Sequence, residues 1–250
     1  MEHYIVVADK FADFTVNART LTLSQLRALL VLPGHLLPDR ARLVMGQGIS
    51  DAERAEIVAL IEASDGHAAR WDIATLKDTR ARATADLSHK HQPCNTLIGP
   101  PEAVGEDTFR LDLCIDESCE LMGDHQTGQH VQGMVLVEAA RQAFLAVTEE
   151  FFLKGANHKS YFVINGMSSA FLGFVFPLPA HMDYRIVSKD INERRQRFEV
   201  EVDLVQGGEV RTRTTFAFTA YPDEVIAAKE ASMAMQATAA VLDMSHATPA

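Results

Sequence analysis

Between Gly123 and Gln142 the chain gathers side chains that can move protons or hold anions: Asp124, His125, His130, Glu138, Arg141 and Gln142. An imidazole beside a carboxylate is a general acid–base pair, because its pKa sits near neutrality. Asp124 and His125, in a stretch flanked by Gly123 and Gly128, are therefore candidate catalytic residues, and either can be the reacting group. The alternative is a capping Asp and a surface His. Glu138, Arg141 and Gln142 recur at i, i+3 and i+4 and share one helical face. They are either an ion pair with a loop-bonding amide or polar groups aimed into a ligand pocket. His130 precedes the helix. Gly133 lets backbone N–H groups approach a ligand closely, and open N–H groups at a helix start polarise a carbonyl oxygen. Upstream, His89-Lys90-His91 can meet a phosphate, or can be exposed loop charge. The His and carboxylate spacing matches no standard zinc pattern, and no Gly-x-Ser-x-Gly elbow for a serine hydrolase is present.

These residues need a helix behind them. Met134, Val135, Leu136, Val137, Phe144, Leu145 and Val147 are apolar nearly all round, which predicts a buried helix from about Val131 to Leu153. Before it, Phe109, Leu111, Leu113 and Ile115 alternate with polar residues, as in a half-buried strand. Cys114 falls on this strand. After it, apolar stretches run over Tyr161–Asn165 and Met167–Phe176, with Gly166 and Gly173 marking a bulge or a close approach. A strand around Tyr184–Val187 follows. Phe198, Val200, Val202 and Leu204, the turn Gln206-Gly207-Gly208, and Val210, Thr212, Thr214, Phe216 and Phe218 form the clearest hairpin. Asp223–Met244 is a further helix candidate. One long apolar helix followed by antiparallel strands predicts an α+β fold, a sheet wrapped around a helix.

The first 76 residues read differently, as a small α/β unit. Tyr4–Ala8, Ala41–Met45 and Trp71–Ile73 are strand candidates. Leucines between Leu21 and Val31 have helical spacing, and Ser50 with Glu53 forms a capping box for a second helix. Gly46-x-Gly48 before that helix is a weak phosphate signal beside the plainer reading of a turn. The organisation expected is an α/β unit over 1–76, a connection over 77–96, the helix-and-sheet domain over 97–222, and a C-terminal helix and tail over 223–250.

At 250 residues, with 47% hydrophobic and 23% charged residues, the composition is that of a globular protein with ample length for a core. A formal net charge of −11 argues against a phosphate-tracking nucleic-acid binder. Local basic patches remain at Arg194-Arg195-Gln196-Arg197 and Arg211-x-Arg213. They suit a phosphate or an acidic carrier protein, or are solvated hairpin surface. Cys94, Cys114 and Cys119 are spaced unlike a zinc site or a disulfide framework. No signal-peptide pattern and no apolar run of membrane-spanning length is present, so the expected location is cytoplasmic.

Gly133-Met134-Val135-Leu136-Val137-Glu138-Ala139 resembles the loop and central helix of hot-dog-fold thioester enzymes. On the pattern of the hydroxyacyl-carrier-protein dehydratases, Asp124 stands where their catalytic His does. The chain is more similar to the AfsA-type family, named for A-factor biosynthesis, through Asp124-His125, Glu138-Ala139-Ala140-Arg141-Gln142 and His89-Lys90. The resemblance runs from about residue 88 to 222. Many members carry two hot-dog repeats, whereas no second copy of the signature occurs here. The resemblance implies a hot-dog domain acting on an acyl or β-ketoacyl thioester of acyl carrier protein or coenzyme A. The acyl group would pass to a hydroxyl of a small phosphate such as dihydroxyacetone phosphate, in butyrolactone- or butenolide-type metabolism. It further implies Asp124, His125 and Glu138 as catalytic residues, and Lys90, His130, Gly133, Arg141 and Gln142 as substrate-binding residues. No cofactor or metal of the protein's own is expected. The alternatives are a dehydratase or thioesterase on the same fold, or a non-catalytic acyl-binding module. A single hot-dog sheet leaves an open edge, which predicts a homodimer.

Overall fold

The structure is a computed structural model describing residues 1–37, 40–77, 81–124, 127–155, 160–192 and 194–246. Its N-terminal part is a four-stranded parallel sheet of β1 (Glu2–Val7), β2 (Thr20–Thr22), β3 (Ala41–Met45) and β4 (Trp71–Asp72), in the order β2-β1-β3-β4. Helices α1 (Leu23–Leu30) and α2 (Asp51–Glu62) accompany it. The capping box read from Ser50 and Glu53 is present, with Glu53 N–H donating to Ser50 Oγ at 3.2 Å and Ser50 N–H to Glu53 Oε2 at 3.0 Å. The sheet has one strand more than the three candidates read from the sequence. Thr20, Leu21 and Thr22 extend beside β1, and α1 starts only at Leu23, because Thr22 caps it in a second capping box with Gln25. Three single-turn helices follow: α3 (Asp65–Ala68), α4 (Ala74–Lys77) and α5 (Ala85–Ser88).

The C-terminal part is an antiparallel sheet around a long helix. Strands β5 (Glu102–Gly105) and β6 (Thr108–Asp112) come first, then α6 (Gly133–Phe151). Strands β7 (Ser160–Phe171), β8 (His181–Asn192), β9 (Arg195–Gln206) and β10 (Glu209–Pro222) follow, and α7 (Asp223–His246) ends the described chain. The six strands lie in the order β5-β6-β8-β9-β10-β7. This is the hot-dog arrangement expected from the sequence. The hairpin turn is closed by Gly207 and Gly208, at φ +63 and +81, conformations that cost a residue with a Cβ. The inward faces of β9 and β10 bury Phe198, Val200, Val202, Phe216 and Phe218. Phe144 of α6 stacks on Phe218 with centroids 4.3 Å apart and meets Phe216 at 4.9 Å. Each such ring contributes about 1.5–3 kcal/mol through burial, and Phe144→Ala would cost about 3–5 kcal/mol.

The two interrupting glycines have two different reasons. At Gly166 the β7–β10 register shifts between Ala217 and Phe218, so β7 carries a bulge. At Gly173 a Cβ would stand 3.1 Å from Arg211 Nη1, so a side chain approaches closely. The two sheets share one buried apolar cluster. Gly46-Gln47-Gly48 joins them. Its N–H groups donate to Val6, Pro177 and Ile115 oxygens, while the buried Gln47 amide bonds Leu113 O and Ile115 N–H. With those donors occupied it is a structural turn, not a phosphate cradle.

Candidate functional site

The pair Asp124-His125 is flanked on both sides by residues that the N-terminal part of the chain holds. Before it, Lys10 Nζ donates to Glu117 O at 2.7 Å and to Met122 O at 2.9 Å. After it, Phe14 N–H donates to Gly128 O at 3.0 Å, and Gln129 Nε2 to Asp13 O at 2.8 Å. Gly128 takes φ +73, and a Cβ there would stand 2.5 Å from Asp13 Oδ2. Asp124 is exposed. His125 lies outside the described residues.

Beyond Gln129, α6 begins without a side-chain cap. Among the described residues no side chain bonds its first N–H groups, and the Gln132 amide instead donates to Leu121 O. The helix start opens on a cleft of about 430 Å³ lined by His130, Gly133, Leu136 and the run Phe171–Val175. Gly133 is required there: a Cβ would lie 2.7 Å from the Phe171 ring. The His130 ring sits 4.7 Å from that of Phe174, and its Nδ1 is 3.1 Å from Thr127 Oγ1. Phe171, Leu172, Phe174 and Met134 leave an exposed apolar rim. An apolar cleft with few polar groups is the usual form of a small-molecule site.

The charged residues of α6 gather elsewhere. Glu138 accepts from Arg141 Nε at 2.7 Å and Nη2 at 2.8 Å, and from Gln142 Nε2 at 3.1 Å, with Lys90 Nζ at 2.8 Å. Gln142 is fully buried, donating to Asn95 O and accepting from Leu97 N–H, both at 2.8 Å. Burial alone would push the Glu138 carboxyl up. Hydrogen bonds from Arg141, Lys90 and Gln142, with the Arg141 charge, outweigh it and bring the pKa to about 2. At neutral pH this carboxylate stays ionised and is a weak proton acceptor. Lys90 is thus engaged by Glu138, and His89 Nε2 pairs with Glu149 at 2.9 Å.

Helical geometry separates the two groups. Five residues on from Gly133, Glu138 is displaced by about 7.5 Å along the axis and about 140° around it. The structure therefore brings His130 and Gly133 together at the cleft, and Lys90, Glu138, Arg141 and Gln142 together on another side of α6. The cleft wall Phe171–Val175 was not singled out as a site from the sequence. Gly173 was its only signal. Lys10, Asn95 and Leu97 have no local sequence signal, since their partners lie far along the chain.

A second cavity, of about 480 Å³, lies where the two sheets meet, with Gln47, Arg54, Arg82 and Cys114 in its wall. Arg82 donates to Thr96 O at 2.7 Å, to Ile115 O at 3.1 Å and to Cys114 O. Burial pushes the Cys114 thiol up to about 11, so it is no nucleophile at neutral pH. The N-terminus of α2 nearby is closed by its capping box. Among the described residues no group of three or more His, Cys, Asp or Glu could hold a metal ion. No helix among them is long and apolar enough to cross a membrane.

Residues 71–222 match the family described as A-factor biosynthesis hotdog domain. No curated protein matches the chain. Solved structures similar to it include a putative thioesterase, a phenylacetic acid degradation-related protein from Ralstonia eutropha, at 18% identity. That match covers 48% of this chain and 82% of that one, with a TM-score of 0.36. A thioesterase from Haemophilus influenzae matches at 13% identity over 58% of this chain and 94% of that one, TM-score 0.37. An uncharacterized protein from Pyrococcus horikoshii matches at 19% identity over 57% and 94%, TM-score 0.37.

Proposed function

The chain belongs to the A-factor biosynthesis hotdog domain family, and from that membership and the cleft at the start of α6 we propose that it transfers acyl groups from thioesters. The donor is an acyl or β-ketoacyl thioester carried on the phosphopantetheine of acyl carrier protein or on coenzyme A. The acceptor is a small hydroxyl compound such as dihydroxyacetone phosphate, and the product feeds butyrolactone- or butenolide-type metabolism in the cytoplasm. The observation that carries this reading is the uncapped N-terminus of α6 opening on an apolar cleft. The cleft takes the acyl chain, and the helix N–H groups, helped by the macrodipole, hold the thioester oxygen as negative charge develops on it.

In the step itself the acceptor oxygen bonds to the acyl carbon, the C–S bond breaks, and the acceptor proton passes through the base to the departing thiolate. We assign the base to His125, oriented by Asp124, because an alcohol needs a neutral acceptor within hydrogen-bond reach. Glu138 is assigned to positioning: it holds Lys90 and Arg141 and stays charged. No cofactor of the protein's own is required in this scheme.

Incubation of a short-chain acyl-coenzyme A with and without dihydroxyacetone phosphate, followed by mass spectrometry, tests the proposal. An acyl ester that forms only with the acceptor is the expected result, with at least a hundredfold loss in His125→Ala. Free acid regardless of acceptor would make the protein a thioesterase, loss of water from a hydroxyacyl donor a dehydratase, and binding without turnover an acyl-binding module.

A further inference from the structure

Of the two basic patches read from the sequence, the fold brings one residue against the outer side of the cleft wall. Arg194, Arg195 and Arg197 sit exposed around the β8–β9 turn. Their neighbour Gln196 bonds Phe152 O at the far end of α6, about 28 Å along the helix from its start. Arg213 is tied to Asp203 by two hydrogen bonds of 2.7 and 2.6 Å. Arg211 differs from both. Its carbonyl accepts from Leu172 N–H at 2.8 Å and Gly173 N–H at 3.1 Å, so its backbone is fastened to the cleft wall. Its guanidinium lies close to Gly173, where a Cβ would stand 3.1 Å from Nη1.

That guanidinium is only partly satisfied. Nη2 meets Glu209 at 2.9 Å, on a carboxylate whose side chain is 68% exposed, and exposed pairs of this kind are weak and readily exchanged. The Arg211 Nε is buried with no hydrogen-bond partner among the described residues. A buried donor without a partner costs stability unless something else supplies an acceptor. A guanidinium presents a planar fork matched to phosphate oxygens, and Nε with a terminal nitrogen is one edge of that fork.

We propose that Arg211, beside the cleft wall, is an anion-binding residue and takes a phosphate oxyanion of a substrate whose apolar part lies in the cleft. This rests on the acyl-thioester reading for the cleft's apolar occupant, while the anion site itself stands on Arg211, Gly173 and Glu209. Two sources would present that phosphate: the phosphopantetheine or coenzyme A arm of the donor, or the phosphate ester of a three-carbon acceptor. Glu209 acts as the stand-in that the ligand displaces.

Calorimetric titration of the full chain separates the sources. The probes are hexanoyl-coenzyme A against hexanoyl-pantetheine, and dihydroxyacetone phosphate against dihydroxyacetone. Arg211→Met should weaken at least one phosphorylated probe tenfold or more and leave its unphosphorylated counterpart unchanged. Arg211→Lys should lose part of the affinity. Glu209→Gln, which removes the competing carboxylate, should tighten the same probe two- to fivefold, an effect that a purely structural arginine would not produce. A loss confined to the coenzyme A arm assigns the donor phosphates; a loss confined to the three-carbon arm assigns the acceptor. If Arg211→Met binds every probe as the wild type does, the proposal is overturned while the acyl reading stands. If the wild type binds the phosphorylated probes through Arg211 but gains nothing from the hexanoyl chain, the acyl reading fails and the anion site stands. If the wild type binds none of the four, both fail.

Discussion

At the scale of the residue, Glu138 shows how surroundings decide what a carboxylate does. From the helix face alone it is either an ion-pair partner or a pocket group. Three donors around it place its pKa near 2, against an ordinary value of 4.5. A carboxylate held below its unfolded pKa contributes stability that is fully present above about 4.5 and is lost as pH falls towards 2. The shift corresponds to about 3 kcal/mol, and in a chain of this size each kcal/mol moves Tm by about 2–4 °C. Glu138→Gln should therefore lower Tm by about 6–12 °C at pH 7, since it leaves Lys90 and Arg141 without their common partner. The gap to wild type should narrow as pH drops below about 4.5. Calorimetric scans across that range check both; equal melting at pH 7 would mean that the network contributes nothing to stability.

At the scale of the element, the N-terminal sheet acquires a task that its own sequence does not announce. The short helical segment Asp9–Val16 grips the chain on both sides of Asp124 and His125, through Lys10 at Glu117 and Met122 and through Asp13 and Phe14 at Gly128 and Gln129. Two carbonyls on one ammonium are charge-assisted bonds, stronger than neutral ones. Lys10→Met keeps the length of the side chain and removes both. Acyl turnover should fall at least tenfold, hexanoyl-pantetheine binding should hold, and amide exchange over 117–124 should quicken. Unchanged exchange would show that the loop holds its place without this contact.

At the scale of the whole molecule, the hot-dog sheet ends on β7, which pairs with β10 on one side and with no strand on the other among the described residues. Tyr161, Ile164, Met167 and Phe171 are exposed along it. A long apolar edge invites pairing with another copy, and we propose that β7 pairs with its counterpart in a homodimer. Sedimentation at micromolar concentration should give twice the mass of the chain, and Met167→Lys should shift it to the monomer with little loss of secondary structure. A wild-type monomer under those conditions would refute the pairing.

Periodicity carried most of the architecture. The apolar helix around Phe144, the alternating hairpin with its Gly207-Gly208 turn, and the Ser50–Glu53 cap were legible because helix period, strand period and capping are local rules. Strand β2 was not, because three residues after a loop carry too little pattern and their pairing with β1 is a long-range choice. The identity of the chemical side chains was likewise in the sequence, from Lys90 and Asp124 to Gln142. Their grouping was not. A helix of 3.6 residues per turn sends Gly133 and Glu138 to different sides, and only packing against Asn95, Leu97 and Lys90 made Glu138 the centre of an ion network. The cleft wall Phe171–Val175 and the guanidinium of Arg211 close to Gly173 meet because β7 runs back along β10. By itself the sequence determined the elements and the inventory of reactive groups. Which of those groups share a site was decided by the tertiary structure, because contacts between residues far apart in the chain depend on how the sheets close around the helix.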